Sequence, residues 1–348
     1  MAEPLTLSIC IPTFNRADLL KCSLGLLSAE WQDLSPARQQ RLEVVICDNA
    51  SSDGTPGVAK EFRALHEPRV IYYQRPANIE GDNAYLCTER ATGDFVWIVS
   101  DDDLLLHGTL DRLFDVLDED PPVDAVAINV RSFRDSPDEL GPLAFATWHG
   151  IERRDRDRMF TEVGTMLSFL SILMFRRSLV AETDYGFARG TNLIQAYAFT
   201  DAINRASHLA TLADPVLAYR LGNLGSYDFA RVFVDNFIEL LDYARRGGLG
   251  IAAHRRMTRH HFRRHLLSMT LSFKRHGPAG SLRPDWSGTR RRVLHHFRRD
   301  PLGATALVLV TTIPAPAVRR LEDLARAIRS RLRRSASRAG SPGPGGGC

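Results

Sequence analysis

Oxygen-rich side chains that could bind a metal or a phosphate follow three short apolar runs in the amino-terminal part of the chain. Thr13 and Asn15 follow the first run, Asp48 ends the second, and the acidic run Asp101–Asp103 follows the last. Mg²⁺ and Mn²⁺ prefer oxygen ligands and bridge carboxylates to phosphates. These residue types therefore indicate a site at which a divalent cation holds a polyphosphate.

The hydrophobic pattern predicts the elements that would bring these residues together. Apolar runs of strand length occur at Leu5–Ile11, Leu42–Cys47, Val70–Tyr73 and Phe95–Val99. Segments with helical spacing separate them, at Leu19–Leu27, Val58–Leu65 and Gly81–Ala91. The alternation predicts βαβ units with a parallel sheet, and such sheets bind ligands at the carboxyl ends of their strands. We therefore expect the polar residues to converge on one crevice.

Glycine-rich loops that bind phosphate are missing from the sequence. It contains no G-x-x-x-x-G-K-[ST] motif, and no G-x-G-x-x-G motif follows the first predicted strand. This excludes P-loop nucleotide hydrolases and dinucleotide-dependent enzymes as function classes. A divalent cation beside the carboxylates is the remaining device for holding a polyphosphate.

Four motifs occur along the chain in an order that resembles a known family. They are Ile11–Arg16 (IPTFNR), Val45–Thr55 (VICDNASSDGT), Asn78–Gly81 (NIEG) and Ser100–Asp103 (SDDD). Together they resemble the ordered signatures of family-2 glycosyltransferases with the GT-A fold, over residues 5 to 220. The SDDD form is most similar to a bacterial branch that includes abequosyltransferases of O-antigen assembly.

The resemblance implies an α/β fold of the GT-A type, with a Rossmann-like mixed sheet flanked by helices. The division that we expect is a transferase domain over residues 1–225, a basic helical extension over 226–334 and a flexible tail over 335–348. Within the first domain, the apolar stretch Met166–Arg177 is predicted to form a buried strand or helix under the acceptor site.

Matching the motifs residue by residue implies roles for six side chains. Nucleotide binding is expected for Thr13, Asn15, Asp48 and Asp102, and metal binding for Asp101 and Asp103. The expected cofactor is Mn²⁺ or Mg²⁺, which would neutralise charge on the leaving nucleotide. Two alternatives stay open: Asp48 could instead satisfy turn amides, and the first Asp of the family motif aligns with Ser100. Asp53 is expected to brace its turn.

The family also carries a Glu-Asp pair, downstream of the metal motif, that deprotonates the acceptor hydroxyl. The corresponding place here reads Gly190, Thr191 and Asn192, and asparagine cannot accept that proton. We expect Asp201 to act as the catalytic base, with Asp184 as the alternative.

The carboxyl-terminal part of the chain is strongly basic. Residues 251–348 contain 21 Arg and Lys against 4 Asp and Glu, whereas residues 1–250 contain 24 against 37. His254–Leu271 and Arg319–Arg334 have the spacing of basic amphipathic helices, and the uncharged run Leu302–Ile313 lies between them. This pattern predicts docking on an anionic membrane surface. The alternative is that the helices pack on the catalytic domain with their arginines in solvent.

Composition limits the remaining classes. No stretch approaches the roughly 20 apolar residues that a spanning helix needs, and Met1–Ser8 shows no basic region ahead of an apolar run. The five cysteines form no C-x-x-C pair and are expected to be core residues, except Cys348. We therefore expect a cytoplasmic protein held peripherally at the inner face of the cell membrane.

The predicted function is the transfer of one sugar from a nucleotide-sugar donor to a glycan or lipid-linked glycan acceptor, of the cell-surface polysaccharide or O-antigen type. A processive synthase is not expected because no Q-x-x-R-W motif follows. Two other classes remain as alternatives. One is a catalytically silent glycosyltransferase-like binding protein, suggested by the missing Glu-Asp pair. The other is a nucleic-acid-binding protein, disfavoured because the acidic crevice would repel phosphate backbones, so no nucleic-acid partner is expected.

Overall fold

A single mixed sheet runs through the part of the chain that the computed structural model describes, which comprises residues 4–134, 138–221, 228–277, 284–318 and 320. Nine strands belong to it among these residues. In chain order they are β1 (Leu7–Thr13), β2 (Leu42–Asp48), β3 (Val70–Gln74), β4 (Phe95–Ile98), β5 (Leu104–Leu105), β6 (Ala125–Phe133), β7 (Ile151–Arg154), β8 (Leu173–Arg176) and β9 (Leu209–Arg220).

The strand order explains how the crevice forms. The sheet runs β3-β2-β1-β4-β8-β6-β9-β5, with β7 paired to β9. The first four strands in this order are mutually parallel, so their carboxyl ends lie at one edge of the sheet. β8 is antiparallel to both β4 and β6 and makes the sheet mixed. The predicted βαβ units and the mixed sheet are therefore confirmed.

Twelve α-helices flank the sheet or extend beyond it within the described residues. They are α1 (Ala17–Asp33), α2 (Pro36–Gln39), α3 (Thr55–His66), α4 (Asn83–Leu86), α5 (Thr109–Leu117), α6 (Arg156–Val163), α7 (Ile194–Arg205), α8 (Phe237–Arg246), α9 (Ile251–His260), α10 (Leu267–His276), α11 (Trp286–His295) and α12 (Pro301–Thr312). Side chains alternate between the two faces of each strand. Ile9 of β1 accordingly packs in the core with α1, whereas Cys10 packs in the core with α7.

Two predicted elements differ in the structure. The predicted helix Gly81–Ala91 is wrong as a continuous helix: α4 lies between the 3₁₀ turns Glu80–Asp82 and Cys87–Arg90. The side chain of Asn83 ties this segment to the sheet by donating to the Cys47 carbonyl oxygen at 2.8 Å. The stretch Met166–Arg177 was predicted to be a strand or a helix. The strand is confirmed, since β8 lies buried between β4 and β6.

The carboxyl-terminal helices pack on the same core as one face of the sheet. The predicted helix His254–Leu271 is confirmed, because α9, a π-helical turn His261–Leu266 and α10 follow one another without a break. Phe262 and Leu266 are buried in the core that also contains Cys10. The boundary at 225/226 stays a prediction. The predicted helix Arg319–Arg334, apart from residue 320, and the tail over 335–348 lie outside the described residues.

The uncharged run Leu302–Ile313 forms α12, which has one buried face. Ala304 and Leu307 are buried against the neighbouring helices, whereas Leu302 and Leu309 are 71% and 58% exposed. A search of the described residues finds no helix with the length and apolar character needed to cross a membrane.

Candidate active site

The loop after β1 is tied to the loop after β2. Asn15 has a positive φ of 50°, its Oδ1 accepts the Ser52 amide at 2.8 Å, and its own amide donates to Ser51 Oγ at 2.8 Å. Thr13, the last residue of β1, is 3% exposed, and its hydroxyl lies beside the Asp101 carboxyl without a hydrogen bond of good geometry to any described residue. A buried hydroxyl without such a bond is costly, so it marks a place where a ligand would contribute a hydrogen bond.

Asp48 is completely buried at the end of β2. Its Oδ1 accepts the Ser51 amide at 2.8 Å, and its Oδ2 accepts the Tyr72 hydroxyl at 3.0 Å. Burial and this hydrogen bond raise the pKa of Tyr72. These contacts are those of the turn-bracing alternative. Asp53 also braces its turn, as predicted, by accepting the amides of Thr55 and Ala17 at 3.0 and 3.2 Å.

Asp101 is 2% exposed and lies beside an arginine that sequence reasoning did not include in the site. Arg16 Nη1 is 2.7 Å from Asp101 Oδ1. The other oxygen, Oδ2, is buried without a hydrogen bond of good geometry to any described residue. Burial raises the pKa of the Asp101 carboxyl, even though the neighbouring Arg16 and Thr13 oppose that change. The carboxylate thus has one oxygen paired with a cation and one available to a ligand.

The other two carboxylates of the acidic run point in different directions. Asp103 is buried and its Oδ2 accepts the Ser171 hydroxyl at 2.6 Å; burial raises its pKa well above the usual range. Asp102 Oδ1 accepts the Ser100 hydroxyl at 2.5 Å and lies 3.8 Å from Arg16 Nη1. Within the described residues, the three carboxylates do not form a group whose oxygens all lie within 4.8 Å of one another.

A third loop is held to the crevice by Asn49, which is 3% exposed. Asn49 Nδ2 donates to Asn78 Oδ1 at 2.8 Å, and Asn49 Oδ1 accepts the Ile79 amide at 2.9 Å. The next residue, Glu80, has a positive φ of 52°. The residues around Asn78 therefore form a turn that hydrogen bonds to Asn49 hold in place.

The segment before α7 meets this loop. Asp82 Oδ1 accepts the Gly190 amide at 2.9 Å. Asn192, at the position where the family carries a carboxylate, has a φ of 59° and packs on Gly81. A Cβ placed on Gly81 would lie 2.3 Å from Asn192 Oδ1. Asn192 is thus next to the loop that follows β3.

Asp201 lies on α7 and is almost fully buried, with 7% of its side chain exposed. Its Oδ2 accepts three donors: the hydroxyls of Tyr185 at 2.9 Å and Tyr243 at 3.0 Å, and Arg205 Nη2 at 3.0 Å. Asp184 is exposed and its Oδ1 caps the Gly186 amide at 2.8 Å. The contacts of Asp201 are those of a carboxylate that anchors surrounding elements.

The family model for glycosyl transferase family 2 matches residues 8–182 of this chain. That range includes β2 to β4, all of β1 except Leu7, and every residue of the acidic run. The chain therefore belongs to glycosyl transferase family 2, and the resemblance stated from the motifs is confirmed.

Curated relatives and solved structures agree with this assignment. Abequosyltransferase RfbV of Salmonella typhimurium is 25% identical over 259 residues, 69% of this chain and 74% of the relative. A GalNAc(5)-diNAcBac-PP-undecaprenol beta-1,3-glucosyltransferase of Campylobacter jejuni is 32% identical over 115 residues, 32% of this chain and 35% of the relative.

The similar solved structures have low sequence identity but the same fold. TarS 1-349 of S. aureus in complex with UDP-GlcNAc has a TM-score of 0.60 at 18% identity, over 95% of this chain and 92% of that one. Mannosyltransferase PcManGT of Pyrobaculum calidifontis, in complex with GDP-Man and Mn²⁺, has a TM-score of 0.52 at 16% identity, over 93% and 88%. The predicted GT-A fold class is confirmed.

Proposed function

We propose that this family-2 glycosyltransferase moves one sugar from a nucleotide-sugar donor to a glycan or lipid-linked saccharide of a cell-surface polysaccharide such as an O-antigen. The observation that carries the proposal is the buried Thr13 hydroxyl beside the Asp101 carboxyl, whose Oδ2 makes no hydrogen bond of good geometry within the described residues. They lie at the carboxyl ends of the neighbouring parallel strands β1 and β4. Such a pair suits a ligand that offers both hydroxyl groups and a metal-bound phosphate.

The donor side of the site would be built by the loops that follow β1 and β2. Asn15 and Ser52 join the two loops, and Asp48 holds the second one through the Ser51 amide. We expect Thr13 and Asn15 to contact the nucleotide, with Asp48 fixing the wall behind the base. Arg16 would place a positive charge beside the diphosphate once a ligand separates it from Asp101.

The acidic run fits a divalent cation at one of its ends. Asp101 Oδ2, without a hydrogen bond of good geometry to any described residue, is an oxygen available to a ligand. From the sequence, Asp101 and Asp103 are the expected ligands, but Asp103 is more deeply buried than Asp102 and burial raises its pKa well above the usual range, which favours Asp102 as the partner of Asp101. When bound, a divalent cation would neutralise charge that develops on the leaving nucleotide. The Mn²⁺ bound by the mannosyltransferase PcManGT supports a divalent cation as the cofactor.

The acceptor base is a separate part of the proposal. Asp201 stays a prediction in that role, since its Oδ2 is already bonded to two tyrosines and Arg205. An asparagine at position 192 favours a second candidate function, a binding protein that recognises nucleotide sugars without transferring the sugar. Donor binding with no release of nucleoside diphosphate would support that candidate.

The acceptor is proposed to lie at a membrane surface. Leu302 and Leu309 of α12 are exposed, and so are Arg255 and Arg259 of α9; apolar and basic side chains of this kind suit an anionic leaflet. The Campylobacter relative is named for a saccharide linked to the lipid undecaprenol. This supports a lipid-linked acceptor at the inner face of the membrane.

Nucleotide binding tests the donor assignment before the acceptor is known. Thermal unfolding would be measured with UDP, GDP and CDP, each with Mn²⁺, Mg²⁺ or chelator, because a ligand of the native state raises the melting temperature. We expect a metal-dependent rise with one nucleotide, lost in Asp102→Asn and reduced in Thr13→Val. Asp214→Asn, at an exposed carboxylate on β9, is the matched control. No rise with any nucleotide, or the same rise in Asp102→Asn, would contradict the proposal.

A further inference from the structure

A cavity of about 340 Å³ lies outside the crevice, beside the turn that follows α4. Its walls include Tyr85, Glu89, Arg177, Asp184, Tyr185 and Arg189. No residue of the acidic run lines it. The volume is within the roughly 300–1,000 Å³ that is usual for small-molecule sites.

Aromatic rings form one wall of this cavity. The rings of Tyr85 and Tyr185 meet edge to face with centroids 5.0 Å apart, and both side chains are buried. Phe187, next along the same segment, is 58% exposed, and its ring centroid lies 6.2 Å from that of Tyr185. Phe187 therefore adds an exposed ring beside Tyr185, and aromatic rings of this kind could contact the apolar face of a sugar ring.

The polar groups of the cavity are balanced in charge. Arg177 donates to the Gly93 carbonyl oxygen at 2.9 Å, whereas the side chains of Arg189 and Glu89 make no hydrogen bond or ion pair among the described residues. Asp184 supplies the second carboxylate. The charges of the two arginines and the two carboxylates cancel, so the cavity has no net positive charge that would favour a phosphate. It offers donors and acceptors together, which suits a neutral molecule rich in hydroxyls.

The segment that lines the cavity also reaches the crevice. Arg189 lies on the cavity wall, and Asn192, three residues further along the chain, packs on Gly81. The backbone positions of Arg189 and Asn192 are therefore at most about 11 Å apart. Gly190, between them, is fixed by its hydrogen bond to Asp82. The distance between the two places is therefore within the length of a short oligosaccharide.

We propose that this cavity binds a neutral sugar unit of the acceptor, remote from the unit that receives the new sugar. The inference rests on the proposed transferase function and adds the class of acceptor to it. Tyr85 and Tyr185 would contact the ring, and Arg189 and Glu89 would bond its hydroxyls. The remote unit would thereby hold the reacting hydroxyl beside the loop of Gly81.

Binding of simple sugars to the full chain tests this inference. The probes are the methyl glycosides of glucose, galactose, mannose, rhamnose and N-acetylglucosamine, followed by saturation-transfer NMR and calorimetry. We expect saturable binding of at least one probe, weakened tenfold or more in Arg189→Ala and in Glu89→Gln. Glu182→Gln, an exposed carboxylate on the same segment outside the cavity, is expected to bind like wild type. Binding of no probe, or equal binding by all variants, would overturn the inference.

Two further readouts separate this inference from the proposed function. Nucleotide-dependent stabilisation is expected to be unchanged in Arg189→Ala and Glu89→Gln; if the nucleotide binds and no glycoside does, the cavity inference fails while the donor assignment stands. If a glycoside binds and no nucleotide does, the transferase proposal fails, and with it the acceptor role of the cavity. Once an acceptor has been identified, Arg189→Ala should raise the acceptor KM and leave kcat and the donor KM unchanged. A fall in kcat with an unchanged acceptor KM would contradict a binding role.

Discussion

The contact between Gly81 and Asn192 makes a quantitative prediction about a single methyl group. In Gly81→Ala, the new Cβ would lie 2.3 Å from Asn192 Oδ1 and 3.2 Å from its Cγ, whereas the Asn192 Cα would remain at an ordinary 3.4 Å. Overpacking costs about 1–3 kcal/mol, and the lower part of that range is expected here because the clashing atom is the end of a side chain that can rotate. The clash involves only the Asn192 side chain, so removing that side chain should remove most of the cost.

Asn192→Gly is the partner substitution that tests this reasoning. Asn192 has a φ of 59°, which glycine adopts without strain, so we expect Asn192→Gly alone to change stability by less than about 1 kcal/mol. In the double variant, Gly81→Ala should then cost little. The expected coupling free energy between the two positions is about 1–2 kcal/mol in favour of the double variant.

Urea denaturation of the four proteins in this cycle measures the coupling. Gly57→Ala is the matched control, since a Cβ there meets nothing within 4 Å. We expect Gly57→Ala to leave stability unchanged or to raise it slightly, as alanine does in a helix. If Gly81→Ala costs as much in the Asn192→Gly background as in the wild-type background, the packing of these two loops is not as the structure shows it.

Three further predictions concern other parts of the molecule. Asp201→Asn should lower the free energy of unfolding by about 2 kcal/mol or more, because three donors lose their anion; unchanged stability with lost turnover would instead indicate a catalytic base. Burial lowers the pKa of His265 from 6.5 to about 4. As the pH falls, the unfolded state therefore takes up the proton before the native state does. The free energy of unfolding should decrease by up to about 3 kcal/mol between pH 6.5 and pH 4. Urea midpoints across this range should fall less steeply in His265→Gln, and an equal slope would refute the assignment. The double variant Leu302→Asp/Leu309→Asp should no longer co-sediment with anionic vesicles, and no co-sedimentation with neutral vesicles is expected. Co-sedimentation of this variant with anionic vesicles at the wild-type level would refute docking through α12.

Local sequence patterns were sufficient to predict the parallel half of the sheet. Each strand from β1 to β4 is an apolar run followed by turn-forming residues, and the bracing role of Asp53 depends on neighbours only two residues along the chain or in the adjacent loop. The crevice followed because parallel strands end at the same edge. The family motifs identified the same region independently.

The division of roles within the site depends on contacts that the sequence does not display. Asp103 faces Ser171, 68 residues away, and Arg16 pairs with Asp101 across 85 residues. Asp201 is near the expected position of the base in the sequence, but its hydroxyl donors come from Tyr185 and Tyr243 on separate elements. Spacing alone could not show which carboxylates face a ligand and which face the interior.

The carboxyl-terminal helices show the same limit. Their amphipathic spacing predicted the helix over His254–Leu271, yet it did not show that Phe262 would pack in the core beneath the sheet. The periodicity of an apolar face is the same whether a protein core or a lipid surface covers it. Only the fold shows that α12 uses one face for packing and leaves Leu302 and Leu309 exposed.

Release of nucleoside diphosphate from UDP-, GDP- and CDP-linked sugars, by the purified chain with Mn²⁺, tests the transferase claim most directly. The account predicts release from one class of donor, by transfer to water or to an added glycoside. The rate should fall at least about a hundredfold in Asp102→Asn, as expected when a group that stabilises the transition state is removed, and stay at the wild-type value in Asp214→Asn. No release from any donor, or the same rate in Asp102→Asn, would contradict it.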